Sequence, residues 1–504
     1  MYTFRLTAQV RLAYNHTVQF IKGLEMNFTR LARIVPLYGA SALAVASLAL
    51  GGCAALPKER TLQNVAPPQQ LAANESFAAP IANWPSDQWW SEFGDPQLSN
   101  LIDEGLVGAT DIRIAQARFA RAAALAGEVR STLLPSLNAG AQVTGSKQSY
   151  DNGMPRAALP QGFNDYGQAS LSLSWDLDFW GKNRAGLAAA RSEAEAANAE
   201  AAAARLAVSA GVASAYADLA DIYAQLDAAN DAVTVRERTV GLLRERNVQG
   251  LEHEGAVERA VSALEAAKGQ HAALTEALAL TRNQIAALIG AGPDRGLRIS
   301  RPTSIARHSF GLPANLPANL IGRRPDVIAA RLRTEAAASR IKQAKAAFYP
   351  NVNLMGIVGM QALGVGNILN SGADFGSVGP AISLPIFEGG RLRSQYQGAE
   401  ADYETAVAVY DGTLTQALRD VADAAASHRA LQERFSRADA SANAAQAAWA
   451  VANNRYRAGL ATYLDVLTAE DALIIARRQV ASMKSRAFAL DIALIRALGG
   501  GFQS

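Results

Sequence analysis

The chain has 504 residues, 50% of them hydrophobic and 18% charged, with 48 Lys and Arg against 45 Asp and Glu and a formal net charge of +3. Residues 1–52 carry five of the cations (Arg5, Arg11, Lys22, Arg30, Arg33) and one acid, Glu25, so the remainder holds 43 cations and 44 acids and lacks the basic stripe that nucleic-acid binding needs. With Cys53 as the only cysteine, disulfide frameworks and thiolate metal clusters are excluded, and stability must come from packing and assembly.

The first element is a leader. Arg30 and Arg33 precede an apolar run from about Ile34 to Leu50, which ends at Gly51-Gly52-Cys53. A basic n-region, an apolar h-region and a small-residue cleavage site mark a removable signal, and the run is short for a membrane-spanning helix of ~20 residues. Leu50-Gly51-Gly52-Cys53 resembles a lipobox, the signal of bacterial lipoproteins. The resemblance implies cleavage after residue 52, a covalent lipid on Cys53 and, with Ala54 rather than Asp following, sorting to the outer membrane. Residues 1–25 read as a mis-assigned start or a long n-region. From 53 to 83 a Pro/Ala/Gln-rich tether follows, whose composition supports no core. Trp84, Trp89, Trp90 and Phe93 mark the start of packed structure as a docking cluster.

Two halves then carry matching punctuation. Leu134-Pro135-Ser136-Leu137-Asn138 corresponds to Tyr349-Pro350-Asn351-Val352-Asn353, Asp178-Phe179-Trp180-Gly181-Lys182 to Ile386-Phe387-Glu388-Gly389-Gly390, and Gln249-Gly250-Leu251 to Ala458-Gly459-Leu460, at separations of 215, 208 and 209. The spacing implies an internal duplication, with repeats over 84–290 and 322–499, a proline-rich equatorial segment over 291–321 and a tail at 500–504.

Each half begins with an Ala/Arg-rich helix, about 97–131 and 324–346, that stops before a proline. Strands follow at about 137–146 and 167–179 in the first half and 351–361 and 376–386 in the second. From Ala169 the pattern alternates, with Leu171, Leu173, Trp175, Leu177 and Phe179 on one face and Ser170, Ser172, Ser174, Asp176 and Asp178 on the other. In the last strand Val378, Pro380, Ile382, Leu384 and Ile386 share a face. Very long helical patterns come next, about 181–248 and 390–456. The 4-3-4-3 spacing of Val212, Tyr216, Leu219, Tyr223 and Leu226, and of Tyr403, Val407, Tyr410, Leu414 and Ala417, predicts a left-handed coiled coil. A helix of about 68 residues spans ~100 Å. Each turns at a Gly-Leu pair and returns, over about 253–290 and 463–498.

A bilayer tolerates only helices and closed barrels, and four strands have two open edges. If the strands lie in a membrane, the sheet must close by oligomerisation: two chains give eight strands and a filled interior, three give twelve and a wider lumen. A soluble sheet with one buried face competes with this reading. Small polar residues on the second face and helices long enough to cross a periplasm weigh against it.

Arg323-Arg324-Pro325-Asp326-Val327 with Ala344-Lys345-Ala346-Ala347-Phe348-Tyr349-Pro350 resembles the signature of outer membrane factors, the TolC-like ducts of tripartite efflux systems, in their NodT lipoprotein branch. Trp175-Asp176-Leu177-Asp178-Phe179-Trp180-Gly181 and Asn454-Arg455-Tyr456-Arg457-Ala458-Gly459 are similar to the same family, and the likeness covers nearly all of residues 84–499. It implies a mainly α homotrimer with a twelve-stranded membrane β-barrel on a periplasmic α-barrel, partnered by a periplasmic adaptor and an inner-membrane transporter of the RND or a similar type. It also implies a gate at Tyr456, Leu464 and Asp465: a tip tyrosine bonding across helices, a leucine that narrows the pore and a three-fold carboxylate ring favouring cations. Gly250, Leu251, Gly459 and Leu460 are the implied docking tips for the adaptor. Thr468, Ala461 and Ala256 depart from the family's charged residues at equivalent positions. An alternative makes Leu464 and Leu467 coiled-coil core and Asp465 a solvated residue, and the glycines simple C-caps.

The expected chemistry is transport rather than catalysis. His16, His253, His271, His308 and His428 are scattered, no metal-ligand spacing appears, and Gly364-Val365-Gly366 lacks a phosphate loop's context. No metal, non-covalent cofactor or nucleic acid is expected. The competing function is a periplasm-spanning scaffold lipoprotein, which needs no alternating strands.

Overall fold

A computed structural model describes residues 61–62, 75–151, 153–303, 310–314 and 316–503. Cys53, the signal segment and most of the tether lie outside them. The helices are α1 (Pro96–Gly108), α2 (Thr110–Ser131), α3 (Lys182–Val248), α4 (Glu254–Leu288), α5 (Pro293–Leu297), α6 (Leu316–Leu320), α7 (Pro325–Ala346), α8 (Arg391–Arg457) and α9 (Tyr463–Ala497), and the strands are β1 (Ser136–Ser146), β2 (Asn164–Asp176), β3 (Asn351–Leu363) and β4 (Asp374–Ser383). The chain divides into two compact units, one containing Leu133–Lys182 and Gln343–Gln397, the other Thr61–Thr132, Asn183–Lys342 and Gly398–Ser504.

The first unit is an antiparallel sheet in the order β1-β2-β3-β4. Register aligns Leu137, Leu173, Gly356 and Val378 in one row and Ala139, Leu171, Val358 and Gly376 in another, so one face is apolar across all four strands. Much of that face is exposed: Leu137 by 66%, Val378 by 78% and Ile382 by 70%. The opposite face carries Asn138, Ser172, Ile357 and Ser377 in one row and Ser136, Ser174, Met355 and Gly379 in the next. The expected polar cover therefore holds for β1 and β2 and fails in β3, where Met355 and Ile357 interrupt it. Pro380 lies in β4, which within a single chain is an edge strand.

Two strands end earlier than the alternation suggests. β2 stops at Asp176, whose Oδ1 accepts the Asp178 N–H at 3.0 Å; Asp178 itself has φ +43° and Gly181 φ +74°. Phe179 thus leaves the strand face, and Trp180 stacks on Tyr349 at 4.9 Å. β4 stops at Ser383, before Pro385 can interrupt the ladder, so Leu384 and Ile386 also fall outside. At the other end β2 begins at Asn164, and the β3–β4 connection is tied to β2 by the Gly364 N–H, which donates to the Asp165 carbonyl at 2.7 Å.

In the second unit the duplication is visible in lengths: α3 and α8 each have 67 residues, α4 and α9 each 35. Of the expected coiled-coil positions, Val212, Tyr216, Leu219, Val407, Tyr410, Leu414 and Ala417 are buried, whereas Tyr223, Leu226 and Tyr403 are only half-buried. The helix expected over 97–131 is two helices, broken at Ala109, which is extended. The cause is a close crossing: a Cβ on Gly108 would lie 2.5 Å from the Ile289 carbonyl oxygen, and one on Gly290 2.2 Å from that of Gly108. Trp89, Trp90 and Phe93 pack with α1 and α3 as a docking cluster, whereas Trp84 packs with Leu312, Leu320, Val327 and α8. At the start of α1, Asp95 is buried and accepts from the Tyr216 hydroxyl at 2.8 Å and the Thr303 hydroxyl at 3.0 Å. Burial pushes its carboxyl up, but these bonds more than offset it and leave the pKa below the ordinary value. Arg324 of the family-like motif is buried and reaches Asp326 at 2.6 Å, Asp420 at 3.1 Å and the Ala497 carbonyl at 3.3 Å, fastening α7 to α8 and α9.

Candidate functional site

Both long hairpins turn by the same device. Gly250 and Gly459 take left-handed φ values of +70° and +73°. The Gly250 N–H donates to Asn247 O and that of Leu251 to Arg246 O, each at 2.9 Å; Gly459 donates to Tyr456 O at 3.0 Å and Leu460 to Arg455 O at 2.8 Å. These are Schellman caps, in which the orphan carbonyls of the helix end find donors. The following leucine commonly packs back on its helix, yet Leu251 is 61% and Leu460 69% exposed. Leu460 also borders a cavity of about 460 Å³ with Val451, Arg455, Ala461 and Asp465.

The return helices start differently. In α4, the His253 Nδ1 accepts the Ala256 N–H at 3.1 Å. In α9, Thr462 and Asp465 form a capping box, the Asp465 carboxylate accepting both the Thr462 N–H and its hydroxyl at 2.8 Å. The Thr462 bonds hold the exposed Asp465 carboxyl below the usual carboxylate range. Asp465 is thus a helix cap as well as an exposed surface charge. Ala256 occupies the equivalent position without a carboxylate because His253 supplies the cap.

Tyr456 is 4% exposed, and its hydroxyl donates to Glu252 Oε2 at 2.9 Å. That bond joins the second hairpin to the turn of the first. The Arg246 guanidinium lies over the ring at 4.9 Å, and the Tyr463 ring meets it edge-on at 5.8 Å. Burial, then the Glu252 carboxylate, push the Tyr456 phenol up to about 12, so it is a hydrogen-bond donor at any physiological pH. Val240, Leu243, Val257, Ala260, Leu264, Tyr463 and Val466 close an apolar cluster around it. Leu464 stands outside this cluster and is 51% exposed, while Leu467 packs against it. The sequence reading identified Tyr456 but missed Glu252, Arg246, Tyr463 and the His253 cap. A tyrosine aligned by the repeat with Asn247, above an acid in the opposite turn, was the available signal.

A chain with two equal coiled-coil hairpins, joined tips and a sheet that exposes an apolar face defines a class, the outer-membrane channels built on long helices. The chain belongs to the outer membrane efflux protein family, whose model matches residues 101–291 and 316–500. It is 34% identical to the fusaric acid resistance protein FusA of Burkholderia cepacia over 373 residues, covering 72% of this chain and 70% of that one. It is 27% identical to the multidrug resistance outer membrane protein MdtP of Shigella flexneri, covering 90% and 94%. Among solved structures, the outer membrane protein VceC of Vibrio cholerae matches with a TM-score of 0.80 and 44% identity, covering 83% of this chain and all of that one. The scaffold alternative has no support in this family.

Proposed function

We propose that this efflux protein is the exit duct of a tripartite pump, in which three chains close their sheets into one barrel and a periplasmic adaptor delivers solutes from an inner-membrane transporter. The observation that carries the reading is the four-stranded sheet with two unpaired edges and an apolar face, which a bilayer accepts only once closed. Cys53 carries the lipid anchor in this reading. The exposed Leu251 and Leu460 at the Gly250 and Gly459 turns meet the adaptor, and Tyr456, with Leu464 and Asp465 nearby, restrains the pore. The resistance functions in the relatives' names support small organic toxicants as cargo. Purified full-length protein in planar bilayers tests this directly: discrete conductance steps are expected, rising when Tyr456→Phe removes the bond to Glu252. Absence of conductance in both proteins contradicts a duct.

A further inference from the structure

Behind the tip cluster, one guanidinium gathers three helices. Arg236 of α3 donates from one terminal nitrogen to the Ala263 carbonyl of α4 at 2.6 Å and from the other to Asp471 of α9, while its Nε lies 3.5 Å from Glu470 Oε1. Its side chain is 12% exposed and that of Glu470 4%, whereas Asp471 is half exposed. Glu470 sits on the apolar seam of α9, between Val466 and Leu473, where a charge is tolerated only with a partner. Burial, and then the neighbouring Asp471 carboxylate, push its carboxyl up, and the Arg236 guanidinium counters part of the rise. Tyr463, seven residues nearer the tip on α9, is buried in the tip cluster, and its ring meets that of Tyr456 edge-on. The clasp lies directly behind the tip cluster: Val240, one turn beyond Arg236 on α3, and Val466, one turn before Glu470 on α9, both pack in the cluster that holds Tyr456 and Tyr463, and Tyr456 reaches Glu252. Beside the clasp a cavity of about 430 Å³, lined by Val235, Trp449, Leu473 and Ile474 among others, leaves room for the hairpins to shift once it is released.

We infer that Arg236 is a positioning residue of the gate: its planar fork ties both helices of the first hairpin to the return helix of the second and so holds Tyr456 within reach of Glu252. The inference rests on the exit-duct reading and adds to it a restraint remote from the tips. A guanidinium suits this task because its donors are fixed in direction, whereas a lysine ammonium offers a single point of charge. Coupling through packed contacts also requires that the clasp and the tip bond act on one closed state.

Resting conductance of the full-length trimer in planar bilayers tests it, with Arg236→Lys, Glu470→Gln and the charge-free double variant Arg236→Met/Glu470→Met, each checked for trimer size and melting temperature. A buried ion pair replaced on both sides by apolar groups commonly keeps its fold, so the double variant separates structure from gating. All three are expected to raise the fraction of time open on the order of tenfold, and adding Tyr456→Phe is expected to raise it by less than it does alone. A conducting wild type with unchanged, folded variants overturns the inference and leaves the duct reading standing. A full, independent effect of Tyr456→Phe also overturns it. If neither wild type nor Tyr456→Phe conducts, the duct reading fails and the inference with it.

Discussion

The two hairpin tips share a backbone and differ in chemistry. Helices of equal length end in the same left-handed glycine and the same pair of capping bonds, so the duplication kept what the turn geometry demands. The side chains around that turn diverged. The first tip presents Asn247, Glu252 and a histidine cap, the second Tyr456, Ala461 and a Thr-Asp box. A phenol on one tip meets a carboxylate on the other, which two identical repeats could not supply with a single donor and acceptor. Divergence between the copies therefore built a specific bond where symmetry alone gives only packing.

The largest expected contrast lies in the sheet, where the halves differ again. Arg at Leu173, on the apolar face of β2, is expected to cost ~2–4 kcal/mol if it lies near the bilayer midplane. Arg at Ser172, on the other face, is expected to be mild. Equilibrium unfolding in detergent micelles or bilayers measures both, and equal losses would show the faces to be misassigned. The first-half strands displayed this division openly in the sequence, since serines alternate with Leu171, Leu173 and Trp175. β3 concealed it, because Met355 and Ile357 stand on the polar side and only the register reveals which side that is.

Next in size are the shared glycines. Gly250→Ala and Gly459→Ala each force a Cβ into a left-handed conformation, and neither Cβ meets a neighbouring atom, so both are expected to lose about 1 kcal/mol from backbone strain alone. Matched losses in thermal unfolding sharpen the equivalence of the tips, and a large difference breaks it. Tyr456→Phe has no counterpart in the first tip, where Asn247 occupies the position. It is expected to cost ~1 kcal/mol for the lost hydrogen bond to Glu252 and to raise resting conductance.

The smallest expected effect concerns the caps. The Asp465 carboxyl has a lowered pKa, so its capping contribution is complete above the ordinary value of ~3.9 and is lost as pH falls through the lower folded value. Hydrogen exchange at the start of α9 is expected to quicken only in that acid range, and Asp465→Ala to quicken it at neutral pH. His253→Ala is expected to do the same for α4, with no effect on α9. Exchange at α9 unaltered by Asp465→Ala contradicts the capping role.

Helix limits, turns and heptads were legible because each rests on local rules: glycine after the last turn, 3.5-residue spacing, proline just past a helix end. The break at Ala109 was not, since Gly108 reads as an ordinary small residue until Gly290 packs across it. Glu252 and Arg236 escaped for a related reason, their partners Tyr456 and Glu470 lying more than two hundred positions away. Glu470 did leave a trace: an acid within the Tyr463, Val466, Leu473 seam signals a buried partner without saying where it is.

The central claim is that β1 and β4 are not true edges but meet in a closed barrel of three chains. Cysteines placed at Gln142 in β1 and Ser377 in β4, in a Cys53→Ala background, with a short thiol cross-linker applied to the membrane-embedded protein, test it most directly. Covalent dimers and trimers, with no larger species, are expected on denaturing gels. Only uncross-linked or internally linked monomers would contradict closure.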